Sequence, residues 1–118
     1  MKSVFVPVSD IARSIDFYEK ALGLCVEANW GEYVDMRFPA SGAEAAGVAL
    51  YRQSVVPSFE HVTFNLGSDD VEWAHQQLSG AGFDVSELKT LGNFLHFELE
   101  DPDGHVISII GSRQSPID

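Results

Sequence analysis

The sequence predicts an α+β fold built from two βαβββ modules. A strand-like segment, an acidic helix start and a glycine exit occur twice, first over residues 3–24 and again over residues 61–83. Apolar residues alternate with other residues in the strand-like segments and recur every three or four residues in the segments between them. A duplication of this kind indicates that both halves of the chain repeat one arrangement of elements.

The elements of the first module follow in order from residue 3. Valines at every second position of residues 3–8 predict a strand. Ser9 or Asp10 provides an N-cap for a helix with apolar residues at helical spacing, and Gly23 is placed to end that helix. Turn-forming and small residues then separate three further predicted strands, over residues 24–30, 33–38 and 48–53.

The second module repeats this order after the break at Pro57 and Ser58. One domain is predicted over residues 1–118, because 118 residues fit an ordinary compact domain. Its modules are about 1–56 and 57–111, and we expect the polar tail 112–118 to be loosely held. The predicted elements of the second module are a strand over 60–66, a helix over about 69–81, and strands over 83–88, 93–100 and 105–110, with a turn over 101–104.

Composition excludes several classes of partner. The chain has 7 Lys and Arg residues against 18 Asp and Glu residues, a formal net charge of −11, which argues against nucleic acid as a partner. Such a field favours a cationic small molecule, although it is also typical of a merely soluble acidic surface. The single Cys25, and the lack of a basic and apolar leader or a long apolar run, predict a cytoplasmic protein without a membrane partner.

Alternation assigns the residues of each predicted strand to two faces of a sheet. One face is apolar, and we expect the helices to cover it. The other face mixes polar, charged and aromatic residues, which is typical of a solvent-exposed face or of a ligand-binding cleft. Its members are Ser3, Phe5, Pro7, Tyr33, Asp35, Arg37, Ala49, Tyr51, His61, Thr63, Asn65, Phe94, His96, Glu98, Ser108 and Ile110.

The helix segment from Val8 to Leu24, followed much later by the Asp-Pro-Asp-Gly-His string at 101–105, carries a resemblance that covers nearly the whole chain. The sequence resembles the vicinal oxygen chelate superfamily, which groups glyoxalase I, bleomycin-resistance proteins, fosfomycin-resistance enzymes and extradiol dioxygenases. It is closest in type to the metal-free bleomycin-resistance-like members. The resemblance implies two modules that curl around a shared cleft, and a homodimer that sometimes exchanges modules.

The resemblance also implies where a metal would be held. The enzymes of the family bind one divalent metal through residues that correspond here to Ser3, Ala49 or Tyr51, His61 and Ser108. A catalytic centre generally needs three or more imidazole or carboxylate donors, and His61 is the one conventional ligand among these positions. We therefore predict no metal cofactor. A divalent metal bound by His61 with Tyr51, His96 or Glu98 stays an alternative, although the family's sheet order places the last strand between His61 and the strand of His96.

The candidate site residues have competing interpretations. The aromatic residues, with Trp30, are expected either to stack on a flat ligand or to pack the sheet. Asp35 and Glu98 are candidates for holding a cation, and Arg37 for pairing with Asp35, with Glu98 or with a ligand carboxylate. The candidate ligand-binding residues are Phe5, Tyr33, Asp35, Arg37, Tyr51, His61, Thr63, Phe94, His96, Glu98 and Ser108.

Three of the four histidines and the cysteine are assigned different roles. His61 is interpreted as a relic metal ligand, a hydrogen-bonding group for a ligand, or a histidine without a functional role. We expect His75 and His105 at the surface and Cys25 in the core.

Three functions are compatible with these observations. The first is a metal-free protein that sequesters a cationic or aromatic compound. The second is a metal-dependent enzyme of the glyoxalase or dioxygenase type, in which the metal acts as a Lewis acid. The third is a metal-independent lyase or isomerase that uses His61 as the catalytic general base.

Overall fold

The computed structural model describes residues 3–39, 47–54, 56 and 62–112. The chain divides into two compact units, one over Met1–Ser58 and the other over Phe59–Asp118. Within the described residues, each unit holds one helix and one four-stranded mixed sheet. The predicted α+β class and the βαβββ order of each module are confirmed.

The first unit contains a sheet with the strand order β1-β4-β3-β2. The two strands at the ends of the module, β1 and β4, pair in parallel, and the other neighbours pair antiparallel. Its elements are β1 (Ser3–Val8), α1 (Ile11–Leu22), β2 (Cys25–Asn29), β3 (Tyr33–Arg37) and β4 (Gly47–Arg52).

Helix α1 begins and ends at the residues that the sequence predicts. The Asp10 carboxylate accepts a hydrogen bond from the Arg13 backbone N–H at 3.1 Å, which satisfies a donor that the first helical turn leaves open. Gly23 has a φ of 72°, the left-handed conformation that glycine adopts without a steric penalty. Most apolar residues of the sheet face that we assigned to the helix are buried, whereas Val4 of the same face is 36% exposed. The buried residues are Val6, Val8, Val34, Met36, Val48 and Leu50.

The second unit has the equivalent strand order, β5-β8-β7-β6, with β5 and β8 parallel. Helix α2 contacts β7 and β8, and the His75 ring lies 4.9 Å from the ring of Phe97. Phe97, Leu99 and Ile107 are fully buried on this face. The elements are β5 (Val62–Gly67), α2 (Val71–Gly80), β6 (Lys89–Leu91), β7 (Phe94–Glu100) and β8 (Val106–Ser112).

The predicted strand over residues 83–88 is wrong. This segment forms a single bridge, between Val85 and Leu99, and the strand itself covers Lys89–Leu91. Ser86 explains the difference, because its hydroxyl, rather than a backbone carbonyl, accepts the Glu98 backbone N–H at 2.9 Å. The Ser86 carbonyl instead accepts from Nε2 of His75 at 2.8 Å. The ladder is therefore interrupted at the point where a regular strand would continue.

The predicted environments of three other residues are also wrong. His105 is fully buried rather than at the surface, because the turn before it folds back on Asp101. The buried Asp101 Oδ1 accepts the backbone N–H groups of Asp103 and His105, at 2.9 and 2.8 Å. His75 is half-buried, and Cys25 is exposed because it lies on β2, the edge strand of its sheet.

Candidate functional site

An aromatic cluster of Phe5, Trp30 and Tyr33 lies on the first unit. The ring centroids of Phe5 and Tyr33 are 6.4 Å apart, and those of Trp30 and Tyr33 are 5.5 Å apart, with tilted planes in both pairs. Phe5 is 62% exposed and Trp30 is 67% exposed. Large aromatic side chains exposed next to one another are more typical of a binding surface than of a solvated sheet face.

The β2–β3 turn places Trp30 beside Tyr33. The Trp30 backbone N–H donates to the Tyr33 carbonyl at 2.8 Å and closes the turn. Gly31, with a φ of 89°, donates its backbone N–H to Asn29 Oδ1 at 2.8 Å. Tyr33 is in register with Tyr51 on β4, so these two candidate ligand-binding residues are direct neighbours in the sheet.

A charged group lies next to this cluster on the same face of the sheet. Arg37 Nη2 donates to Asp35 Oδ2 at 3.0 Å, and Arg37 Nε lies 3.9 Å from Glu27 Oε2. The Arg37 side chain is 10% exposed, that of Asp35 is 18% exposed and that of Glu27 is 54% exposed. We call these three residues the Arg37 cluster. The predicted pairing of Arg37 with Asp35 is therefore observed.

Gly47 provides the space for the Arg37 side chain. A Cβ on Gly47 would stand 2.8 Å from both Cδ and Nη1 of Arg37, and it would also meet the Met36 carbonyl oxygen. A glycine inside a strand often marks such a close approach. The guanidinium thus packs against the bare backbone of β4, which explains how a charged residue is buried on this face.

The second unit carries a polar row on the face opposite α2. Asn65, Ser108 and Glu98 are in register across β5, β8 and β7. Ser108 is buried, Glu98 is half-buried and Asn65 is exposed. Lys89 Nζ lies 3.7 Å from Glu98 Oε1, and both side chains are partly exposed, so this pair adds little stability.

The remaining predicted site residues fall into two groups. His96 is half-buried and in register with Lys89 and Ile110, and Phe94 is 48% exposed near the exposed Leu91 of β6. His61 lies outside the described residues. Thr63 lies on β5, but its side chain is not among those that the structure describes. The structure thus brings Phe5 and Tyr33 together, and Asp35 and Arg37 together, within the first unit.

The described residues do not fit the metal that the family resemblance implies. Among them, no three His, Cys, Asp or Glu side chains are grouped so that they would hold a metal ion. The donor chemistry at two of the implied positions agrees with this, since Ser108 offers a neutral hydroxyl and the second position offers either no donor atom (Ala49) or a phenol (Tyr51). Asp35 is already bound to Arg37.

An open polar depression of about 590 Å³ lies at the β2–β3 turn of the first sheet, lined by Glu32, Arg52, Gln53 and Ser54. Arg52 Nη1 is 3.6 Å from Glu32 Oε2, with both side chains largely exposed. We assign this depression no chemistry, because it holds an ordinary surface ion pair.

Sequence reasoning missed Gly47, Glu27 and Lys89. A glycine beginning an apolar strand was the available signal for Gly47. Glu27 lies where the β2–β3 register shifts between Val26 and Ala28. No residue type in β2 predicts this irregularity. Lys89 was missed because the strand was placed too early in the chain.

The fold and the sheet faces define the class of protein. A family model described as Glyoxalase/Bleomycin resistance protein/Dioxygenase superfamily matches residues 1–109, so the chain belongs to this superfamily. The resemblance to the vicinal oxygen chelate superfamily is therefore confirmed. None of the described helices is long and apolar enough to cross a membrane.

Individual relatives point to more than one activity within the superfamily. The chain is 33% identical over 115 residues to glutathione transferase FosA from Serratia marcescens, covering 89% of this chain and 76% of the relative. Its fold is similar to that of TnmS3, an antibiotic binding protein from Streptomyces sp. CB03234, with a TM-score of 0.78, 22% identity and coverage of 94% and 93%. A superfamily member from Sphaerobacter thermophilus gives a TM-score of 0.76, 20% identity and coverage of 95% and 96%.

Proposed function

We propose that this protein binds a cationic, planar aromatic small molecule on the aromatic cluster of its first unit, without a divalent metal. The observation that carries the proposal is the contact of three aromatic side chains, two of them mostly exposed, on one face of a sheet. Stacked and tilted aromatic contacts add stabilisation beyond the area that they bury, and a ligand ring extends such a cluster.

The charge beside the cluster favours a cationic ligand. Glu27 and Asp35 supply two carboxylates against the one guanidinium of Arg37, so the Arg37 cluster has a formal charge of −1. The whole chain has a formal charge of −11, which attracts cations over a longer range. Cations also bind the faces of tryptophan and tyrosine rings directly.

The superfamily supports a binding role. A protein of similar fold is described as an antibiotic binding protein, and the superfamily's own name includes bleomycin resistance. We therefore propose that the ligand of this chain is an aromatic or glycopeptide-like cation of the size of an antibiotic, which the protein sequesters rather than transforms.

A calorimetric titration with 9-aminoacridine, a planar aromatic cation, tests this proposal. The wild-type protein is expected to bind it. Because an aromatic contact contributes about 0.5–1.5 kcal/mol, Trp30→Leu and Tyr33→Leu should each weaken binding about 2- to 12-fold.

Trp73→Leu is the matched control, since Trp73 is 60% exposed on α2 and lies outside the cluster. Its affinity should equal that of the wild type. The proposal is wrong if a panel of planar aromatic cations, bleomycin included, shows no binding, or if Trp73→Leu weakens binding as much as Trp30→Leu does.

A second candidate function is that of an enzyme. The observation that favours it is the 33% identity to a glutathione transferase, together with a histidine at the family's ligand position, residue 61. Such an enzyme would use His61 with donors such as Tyr51, His96 or Glu98 around a metal, or His61 alone as a general base.

Metal analysis separates the two candidates. Protein purified without a chelator or a metal-affinity tag should contain only trace Fe, Mn, Ni, Zn and Co under the binding proposal. A stoichiometric metal would favour the enzyme instead. We also propose a homodimer, on the resemblance alone, and a cytoplasmic location, on the single cysteine. A light-scattering mass equal to the 12.9 kDa of one chain would contradict the dimer.

A further inference from the structure

The guanidinium of Arg37 contacts two groups of the first sheet, the backbone of Gly47 and the carboxylate of Asp35. Nη1 lies 2.8 Å from the place of a Cβ on Gly47, and Nη2 lies 3.0 Å from Asp35 Oδ2. In the sheet register, Gly47 is the partner of Ser3 on β1.

Asp35 is in turn the partner of Ala49 on β4. The family resemblance implies metal ligands of the first module at Ser3 and at either Ala49 or Tyr51. The guanidinium therefore contacts the sheet neighbours of Ser3 and Ala49, which are Gly47 and Asp35.

We infer that Arg37 takes the place of the divalent metal as the cation of this sheet face, and that it excludes metal from the face even when ligand side chains are restored there. The inference rests on the proposed metal-free function and deepens it. It makes Arg37 and Gly47 the residues that keep divalent metal ions off this face.

Three features of the Arg37 cluster support this exclusion. The side chain fills the space over Gly47, which is the sheet neighbour of Ser3. It binds the Asp35 carboxylate, which is the natural oxygen donor of the face. Its own charge is fixed, because arginine stays protonated, so a divalent cation placed beside it is repelled.

The remaining oxygen of Asp35 shows that the cluster is poised to accept another cation once Arg37 is removed. Asp35 Oδ1 is buried and has no hydrogen-bond partner among the described residues. A buried carboxylate that loses its guanidinium is left with an uncompensated charge, which a metal ion would relieve.

The experiment uses the full chain with Ser3→His and Ala49→Asp, which restores an imidazole and a carboxylate at the two family positions. Cobalt binding is followed by the visible d–d spectrum and by calorimetry. With Arg37 in place, this variant should bind Co²⁺ no more than about threefold more tightly than the wild type. Addition of Arg37→Met should tighten binding at least about tenfold, which corresponds to about 1.4 kcal/mol.

Two further variants in the same background serve as controls. Arg52→Met removes an arginine that also pairs with a glutamate on this sheet, and it should leave cobalt binding unchanged. Arg37→Lys keeps the charge and should still exclude cobalt. If Ala49→Asp prevents folding, as a thermal melt would show, Ser3→His alone becomes the background, and cobalt binding is compared there with and without Arg37→Met.

The inference is overturned if the variant with restored ligands binds cobalt tightly while Arg37 is present, or if Arg37→Met gives no gain. Neither result depends on 9-aminoacridine binding or on the metal content of the wild-type protein. Failure of the inference and failure of the proposed function are therefore distinguishable.

Discussion

At the scale of single residues, the lack of a Cβ at Gly47 lets a charged side chain, Arg37, pack on one face of the first sheet. Arg37 is buried because Gly47 leaves room for it, and Asp35 is held because Arg37 is there. A burial of this kind is costly unless the charge is paired. The aromatic cluster stands beside this charged group with Phe5 and Trp30 exposed, so the same face offers both stacking and a carboxylate-rich border.

Gly47→Ala is expected to destabilise the protein. Its Cβ would meet the Met36 carbonyl oxygen and the Arg37 side chain, and overpacking of this type costs about 1–3 kcal/mol. Gly67→Ala is the matched control, because Gly67 also lies in a strand but nothing stands within 4 Å of its added Cβ. Urea unfolding of both variants measures the difference; equal free energies of unfolding would contradict the role assigned to Gly47.

At the scale of elements, both modules begin their helices with an aspartate N-cap. They differ in the segment that follows the helix. Asp10 and Asp70 each accept a backbone N–H three residues later, from Arg13 and Trp73. After α2, Asp84 and Ser86 bond to β7 through two backbone hydrogen bonds, from Glu100 and to Glu98. The Ser86 hydroxyl then accepts the Glu98 backbone N–H in place of a backbone carbonyl.

Ser86→Ala should cost about 1–2 kcal/mol of stability, since the Glu98 backbone N–H loses its acceptor while staying partly buried. Ser79→Ala, at an exposed position of α2, is the matched control and should change the free energy of unfolding little. Amide hydrogen exchange at Glu98 provides a local readout. Unchanged protection of this amide in Ser86→Ala would show that the hydroxyl does not hold the segment.

At the scale of the whole molecule, the excess of acidic residues sets which ligands approach the protein. The formal charge of −11 is spread over 118 residues, and the Arg37 cluster repeats the same sign locally. Charges of this kind act over about 10 Å at 0.1 M salt and over about 3 Å at 1 M salt. A long-range contribution to ligand binding is therefore sensitive to ionic strength, whereas ring stacking is not.

Binding of 9-aminoacridine should weaken about 3- to 10-fold when NaCl is raised from about 0.05 M to about 0.5 M, because salt screens its attraction to the acidic protein. Acridine, which has the same ring system and is neutral at about pH 7.5, is the matched ligand, and its affinity should change less than about twofold. Calorimetric titrations at the two salt concentrations measure both. An equal loss for the two ligands would show that charge does not select the ligand.

The sequence by itself determined the α+β class, the duplicated βαβββ order and the helix caps, because these depend on local periodicity and on single residues such as Asp10 and Gly23. It also determined superfamily membership, which rests on residues spread over positions 1–109. Strand pairing was predictable where apolar alternation was strong, and it failed over 83–88 because a side-chain hydroxyl took a backbone partner there.

Only the tertiary structure decided which charged and aromatic residues meet. Register across β1, β4 and β3 places Gly47 and Asp35 around one guanidinium, and the β2–β3 turn places Trp30 on Tyr33. For the same reason, His105 is buried and Cys25 is exposed, the reverse of what the sequence predicted. Burial depends on how far a strand lies from the edge of its sheet and on how a turn folds back, and both are set by contacts between residues distant in the chain.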